Sequence, residues 1–280
     1  MLSILFGLGS ALSWGAGDFT GGLAARRSGA YRTVFYGEVI GTVVLIVVVM
    51  ILGEPLPNLR SWLISMLAGV LGSIGLLLLY HSMTLGLMSI AAPVSALLAA
   101  VLPVVVGMFI EGLPEFPTFI GFVFALFAVW MISQSAGGVT DIFAHLSDLK
   151  LPLLAGIGFG SYFVLMHEAT NTGAIVWPMI ASRMGGMLLI IIYMLITRAS
   201  WKVELSALPI IALNGVLDLG GNAFFILAGQ AGRLDVAAVI SSLFPGATVM
   251  LAWVFLKERL SRNQWIGILS ALVAIVLMTV

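Results

Sequence analysis

The sequence is dominated by apolar runs that are each long enough to cross a bilayer as a helix. A membrane-spanning helix needs about 20 mostly apolar residues, and its backbone groups must be satisfied internally. Hydrophobic residues make up 61% of the chain and charged residues only 9%, a balance that a soluble fold of this size does not have. The chain is therefore predicted to be an all-α integral membrane protein with ten transmembrane helices. The predicted spans are residues 3–24, 33–52, 61–81, 91–110, 118–135, 151–169, 175–197, 207–228, 235–255 and 264–279.

Short connections rich in charged residues, glycine and proline separate these spans. The longest connection, residues 136–150, lies at the midpoint of the chain and is predicted to link a first unit, 1–135, to a second, 151–280. The first run begins at Leu2 with no basic residue before it, so it is expected to be a permanent span rather than a cleaved signal.

The two halves of the sequence align with each other. Ser89–Leu97 matches Asp235–Leu243, and Gly69 matches Gly215 at the same offset. Because each half has five spans, the second half is predicted to insert upside down relative to the first. Two inverted five-helix repeats around a central cavity, with a site at their interface, are a recurring design of transporters.

The distribution of basic residues bears on orientation, because Lys and Arg favour cytoplasmic connections. Connections one, three, five, seven and nine define the odd-numbered face, and the other connections and both termini define the even-numbered face. The odd-numbered face carries nine basic residues and the even-numbered face two, Arg60 and Arg233. The charge count therefore predicts that both termini lie outside the cell.

Three local patterns carry a resemblance to a known family. These are Ser13-Trp14-Gly15 in the first span, Leu256-Lys257-Glu258-Arg259-Leu260-Ser261 with Gln264 and Gly267 after the ninth, and the weaker copy Glu111-Gly112-Leu113-Pro114 after the fourth. The chain resembles the EamA family of the drug/metabolite transporter superfamily, over its whole length. The resemblance implies a ten-span carrier that exports amino acids, aromatic ones among them, or other metabolites. It also implies cytoplasmic termini, against the charge count.

The sequence departs from the family in one respect that bears on substrate. Members often have an arginine early in the second and seventh spans. Here the seventh span has Arg183, but the second has Glu38 at that place. A substrate inference from paired arginines therefore does not carry over to this chain.

The function that the sequence favours is secondary transport of a small metabolite by alternating access, and the resemblance implies export across the cytoplasmic (inner) membrane. An uncoupled channel or facilitator, or an importer, is the alternative. An enzyme is not expected, because no metal-ligand spacing, nucleotide loop or nucleophile motif is present. No cofactor is implied, and a net charge of zero does not favour nucleic acid. The expected partners are a small substrate, the lipid bilayer and protons, with a monomer or a homodimer left open.

Ionisable residues inside spans are costly and usually face a cavity or a partner. Asp18 in the first span and Glu38 in the second lie at similar depths and are predicted to approach each other. One of two close carboxyl groups would keep its proton, which suits proton coupling or recognition of a cation. Alternatively, Asp18 caps a helix kink, or Glu38 pairs with Arg27 or Arg32.

Arg183 in the seventh span has two interpretations. Its guanidinium would hold a substrate carboxylate or phosphate, or it would form a structural ion pair with Asp218 or Glu168. The eighth span has a polar stripe on one helix face, and this stripe is interpreted as cavity lining or as interhelical hydrogen bonding. It consists of Asn214, Asp218 and Asn222.

The remaining candidates are aromatic residues, a histidine and two prolines. Trp14 and Tyr162 are predicted to form part of an aromatic pocket, and Trp14 lies deepest in its span. Tyr80 and His81 near the end of the third span are cavity candidates, although a lone histidine is often structural. Pro103 and Pro245 remove helical hydrogen bonds and are predicted hinges in spans four and nine.

Overall fold

The computed structural model describes residues 1–84, 88–133, 150–257 and 260–279, with the side chains at 80–84, 88–93, 133, 252 and 256 left out. Within these ranges the chain is all-α, as predicted, with no β-strand. The helices are α1 Leu2–Ser28, α2 Ala30–Leu52, α3 Leu59–Thr84, α4 Met88–Glu111, α5 Phe116–Ser133, α6 Lys150–Ala169, α7 Val176–Thr197, α8 Leu208–Gln230, α9 Leu234–Ser241, α10 Phe244–Leu256 and α11 Arg262–Thr279. A 3-10 turn, Leu205–Ala207, precedes α8.

The lengths and compositions of these helices suit a bilayer. In the described part of the chain, eight helical segments are long and apolar enough to cross a membrane. The segment Phe116–Ile132 is apolar but shorter, and α1 has 27 residues with more polar and small side chains. With α9 and α10 counted as one interrupted span, the architecture agrees with the predicted ten spans. The predicted linker lies mostly outside the described residues.

The ninth span corrects the prediction of one continuous helix over 235–255. It breaks after Ser241, and a second helix begins at Phe244. Pro245 has no backbone N–H to donate, and a proline fits the first turn of a helix, where such donors have no helical partner anyway. The predicted hinge residue Pro245 therefore lies at a break, whereas Pro103 lies inside the continuous α4. A hinge function for either remains a prediction.

The packing between helices repeats across the two halves. Helix α1 packs against α8, and the equivalent helix of the second half, α6, packs against α3. Helix α4 packs against α6, and its equivalents α9 and α10 pack against α1. In the same way, α3 contacts α7, and their equivalents α8 and α2 contact each other. Helix α5 packs against its own equivalent, α11. This exchange of equivalent neighbours is the pattern of two inverted repeats related by a pseudo-two-fold axis.

Two equivalent helix crossings depend on glycine. A Cβ at Gly69 on α3 would overlap the Ser182 carbonyl of α7, and one at Gly185 would overlap the Met66 carbonyl. In the equivalent crossing, a Cβ at Gly215 on α8 would lie 2.5 Å from a carbonyl oxygen on α2. The aligned pair Gly69 and Gly215 thus permits close backbone approach in both halves.

Candidate functional site

The polar stripe on α8 faces the protein. Asn214, Asp218 and Asn222 recur at every fourth residue and so share one face of the helix. Leu213 and Val216 are exposed on the opposite face of the helix. The Asn214 amide donates to the Gly17 carbonyl of α1 at 2.8 Å, so one end of the stripe is fastened to the first half of the chain.

Asp218, at the centre of this stripe, forms an ion pair with Arg183. The Arg183 Nη2 atom donates to Asp218 Oδ2 at 2.8 Å. The Arg183 side chain is 6% exposed, but 45% of the Asp218 side chain is accessible although it lies on the protein-facing side of α8. Accessible space therefore exists inside the protein at Asp218. Of the two predicted partners of Arg183, the structure selects Asp218, because Glu168 pairs with Arg60 at 2.8 Å.

Glycines on neighbouring helices make room for this charged group. The Arg183 guanidinium lies against Gly41 of α2, where an added Cβ would be 2.9 Å from its Cζ atom. Glu38 of α2 approaches α7 from the same side, and its Oε1 would lie 3.2 Å from a Cβ at Gly186. Its other oxygen, Oε2, is buried with no hydrogen-bond partner among the described residues. Glu38 and Arg183 are close enough for their charges to interact.

A hydrogen-bond network extends the site to α6. The Tyr162 hydroxyl donates to Asn222 Oδ1 and is also hydrogen-bonded by Ser182. Asn222 Nδ2 in turn donates to the Asp218 carbonyl at 2.7 Å and to its carboxylate at 3.2 Å. The network holds the Asp218 carboxylate between α6, α7 and α8.

An aromatic wall lies beside the polar network. Trp14 of α1 stacks on Phe163 with 5.3 Å between ring centroids, and it lies 5.9 Å from Phe225 and 6.5 Å from Phe244. Gly221, one residue before Asn222, leaves space for the indole, because a Cβ there would overlap it. Trp14 therefore lies next to the polar stripe of α8.

Asp18 lies one helical turn beyond Trp14, on the same protein-facing side of α1. Gly15, three residues earlier, faces the backbone of α10. Asp18 is nevertheless exposed, and an added Cβ at Gly22, one turn further, would meet nothing within 4 Å. Open space therefore follows α1 from Asp18 toward the odd-numbered face. The charge next to Asp18 is that of Asp218.

The structure thus brings most of the predicted site residues together, although their roles stay predictions. The group comprises Trp14, Asp18, Glu38, Tyr162, Arg183, Asn214, Asp218 and Asn222. Tyr80 and His81 belong to α3, and their side chains lie outside the described residues. Sequence analysis missed Ser182, Phe163, Phe225 and Phe244. The sequence does not distinguish a phenylalanine of the aromatic wall from one that faces lipid, because the difference depends on how each helix is rotated about its axis.

On the even-numbered face, carboxylates of the first half cap helices of the second. Glu54 accepts hydrogen bonds from the backbone N–H groups of Val176 and Trp177, both at 3.0 Å, at the start of α7. Glu111 accepts from the backbone N–H of Leu234 at 3.0 Å, at the start of α9. Helix N-termini favour negative charge, so these contacts hold the halves together. We call these two contacts the even-face seal.

Arg233 reinforces the seal beside Glu111. Its guanidinium donates to the Asp235 carboxylate at 2.7 Å and to the Glu111 carbonyl at 3.2 Å. The hydrogen bond to Asp235 raises the pKa of Arg233 above its ordinary value, so the cation stays charged over the whole accessible pH range. Arg233 therefore places a permanent positive charge beside the seal, at the end of α4.

Ten membrane spans in two inverted repeats, with charged groups enclosed between the halves, define a polytopic membrane protein with an internal polar site. The chain belongs to the EamA-like transporter family, whose model matches residues 1–134 and again 148–280. This confirms the resemblance seen in the sequence. At the level of the family, the protein is a membrane transporter of small solutes rather than an enzyme.

Two further comparisons found similar proteins. An uncharacterized protein from Methanocaldococcus jannaschii is 26% identical over 123 residues, which span 44% of this chain and 88% of that protein. A protein of known crystal structure, 16% identical, superposes with a TM-score of 0.81 and covers 99% of this chain and 98% of its own. At that identity, the second comparison supports the fold alone.

Proposed function

We propose that the protein is a secondary transporter that exports a small metabolite, an amino acid or a similar compound, across the cytoplasmic membrane by alternating access. The observation that carries this proposal is the accessible Asp218 carboxylate on the protein-facing side of α8. A charged group placed there is costly unless water or a ligand reaches it. The site has a polar end, formed by Asp218 and Asn222, and an apolar end, formed by Trp14.

The arrangement of contacts supports one state of an alternating cycle. The even-face seal closes the site from one side, whereas open space at Gly22 leads from Asp18 toward the other. Alternating access requires that the halves separate at the seal while the opposite side closes. Buried apolar residues of both halves, among them Val49, Met166 and Val176, pack on the same side, so opening must separate this packing as well as the two caps.

Single-cysteine labelling tests this cycle directly, because the chain has no native cysteine. We expect Gly22→Cys to react with an impermeant maleimide from the odd-numbered face, and exposed Ser200→Cys is the positive control on that face. Ser61→Cys, buried beside the seal and hydrogen-bonded to the Ala169 carbonyl as the native serine, should resist labelling from the even-numbered face. Exposed Leu56→Cys is its control on that face.

Weakening the seal should shift the labelling pattern. In the background of Ser61→Cys, Glu54→Gln removes the charge that caps α7. The loss of a charge-assisted helix cap is expected to raise the labelling rate of the thiol at position 61 about tenfold. An unchanged rate would show that Glu54 does not hold the even-numbered face closed. Labelling in vesicles of both orientations also tells which face is cytoplasmic.

We further propose that Glu38 carries the coupling proton. Its Oε2 atom is buried without a partner among the described residues, and the charged or titratable groups around it are Arg183 on α7, Asp218 on α8 and Tyr162 on α6. A proton on this carboxyl group would remove a buried negative charge that no hydrogen bond to Oε2 compensates.

The variant Glu38→Gln tests proton coupling. It is expected to abolish the dependence of net transport on a pH gradient, because an amide cannot exchange a proton. Exchange of substrate across the membrane at equal pH should persist. The measurement is uptake into proteoliposomes with and without an imposed pH gradient. Retained pH dependence in this variant would assign the coupling proton elsewhere.

A further inference from the structure

We propose that the site takes an organic cation, an amine with an apolar or aromatic body, in preference to an anion. The inference rests on the proposed function, since it names the substrate class of the same site. It stands on three features: the balance of charge in the site, the accessibility of each charged group, and the position of the aromatic wall.

The site contains more carboxyl groups than cations. Asp18, Glu38 and Asp218 contribute three carboxyl groups, and the only basic group within this cluster of described residues is Arg183. The charges of Asp18 and Glu38 each interact with that of Asp218. With a proton on Glu38, and with Asp18 and Asp218 ionised against the single cation Arg183, the net charge of the cluster is negative. A low-dielectric surrounding strengthens the attraction of such a site for a cation and its repulsion of an anion.

Accessibility separates the acidic groups from the basic one. Asp18 is exposed, and 45% of the Asp218 side chain is accessible. Arg183, by contrast, is 6% exposed, donates to Asp218 at 2.8 Å and lies against Gly41. A substrate that enters the open space therefore meets carboxylates first. A substrate carboxylate would have to displace Asp218 from Arg183 and would leave that charge uncompensated, which is unfavourable.

The aromatic wall is placed to receive the body of the same molecule. Trp14 lies four residues from Asp18 on α1, a separation of about 6 Å along the helix axis. It also lies against Gly221, which is within one turn of Asp218 on α8. An ammonium group between the two carboxylates would therefore place an attached ring or alkyl chain next to Trp14. Aromatic faces attract cations as well as apolar groups.

The test is a thermal-shift measurement on the purified full chain in detergent. The probes are matched in shape: phenethylamine, hydrocinnamate, 2-phenylethanol and phenylalanine, which carry a cation, an anion, no charge and both charges. A ligand that binds only the folded state raises the Tm. We expect phenethylamine at saturation to raise the Tm by at least about 3 °C, and hydrocinnamate and 2-phenylethanol to have no effect.

Two variants connect the shift to the site. Asp18→Asn removes an accessible carboxylate that holds no other residue of the described chain in a hydrogen bond, so the variant is expected to fold. It should reduce the affinity for phenethylamine at least about tenfold, as expected when a charge-assisted hydrogen bond is lost. The control variant Glu115→Gln also removes one carboxylate charge, but at an exposed position on the even-numbered face. It should leave the affinity for phenethylamine unchanged.

Each outcome bears on the inference. A shift with hydrocinnamate, a larger shift with phenylalanine than with phenethylamine, or no shift with phenethylamine would overturn it. An equal loss of affinity in Glu115→Gln and Asp18→Asn would also overturn it, because the effect would not belong to the site. The proposed transport function is tested separately by substrate flux. Flux of an anion or a zwitterion would leave the protein a transporter and refute only the cation preference.

Discussion

Replacing Arg183 with glutamine is expected to abolish transport and to lower the free energy of unfolding by about 2–3 kcal/mol. The variant leaves Asp218 and the buried Glu38 oxygen without their cation. Breaking a fully buried pair costs about 3–5 kcal/mol, and the value is reduced here because Asp218 is partly accessible. Unfolding of the purified protein in mixed detergent micelles measures the stability, and uptake into proteoliposomes measures the transport.

A double variant separates the structural role of Arg183 from its role in transport. In Arg183→Gln/Asp218→Asn the lone carboxylate of Asp218 is gone, so at least about 1 kcal/mol of the lost stability should return. Transport should stay absent, because the accessible carboxylate is also gone. Arg60→Gln breaks an exposed pair with Glu168 and should change stability by less than about 1 kcal/mol. A double variant no more stable than Arg183→Gln would contradict the assigned ion pair.

Gly185→Ala is expected to lower the free energy of unfolding by about 3 kcal/mol, a large effect for a single methyl group. The added Cβ would overlap the Met66 carbonyl, which is backbone and cannot rotate away. Helices α3 and α7 would have to separate, and α7 carries Arg183. Transport should therefore fall together with stability.

Gly22→Ala provides the matched control for this glycine substitution. Gly22 also lies within a helix, but its added Cβ meets nothing within 4 Å. Alanine has a higher helix propensity than glycine, so this variant should keep or gain up to about 1 kcal/mol of stability. Equal destabilisation by both substitutions would show that the crossing of α3 and α7 is looser than described. Thermal unfolding in one detergent compares the two variants directly.

Much of the fold could be predicted because membrane spans impose strong constraints on sequence. The lengths of the apolar runs predicted ten spans, and the match of Ser89–Leu97 to Asp235–Leu243, with Gly69 and Gly215 at the same offset, indicated the repeat. The site residues were recognisable because a charge within an apolar run is conspicuous. Asp18, Glu38, Arg183 and Asp218 were all found in this way, and the structure brings them into one cluster.

The pairings within the cluster could not be predicted, because they depend on helix rotation and on the register between halves. Asp18 was expected beside Glu38, but its neighbouring charge is Asp218. Arg183 had two candidate partners, and only the geometry selected one. The break at Ser241 and the caps made by Glu54 and Glu111 join residues that are distant in sequence. No local pattern shows which helix end a distant carboxylate will reach.

The most direct test of the account is counterflow in proteoliposomes. The ligand with the largest thermal shift is placed inside the vesicles without label, and a trace of labelled ligand is added outside. A carrier that alternates at the Asp218 site predicts transient accumulation of label above equilibrium, in the wild type but not in Arg183→Gln. Uptake that does not respond to internal ligand would contradict the account and indicate a channel.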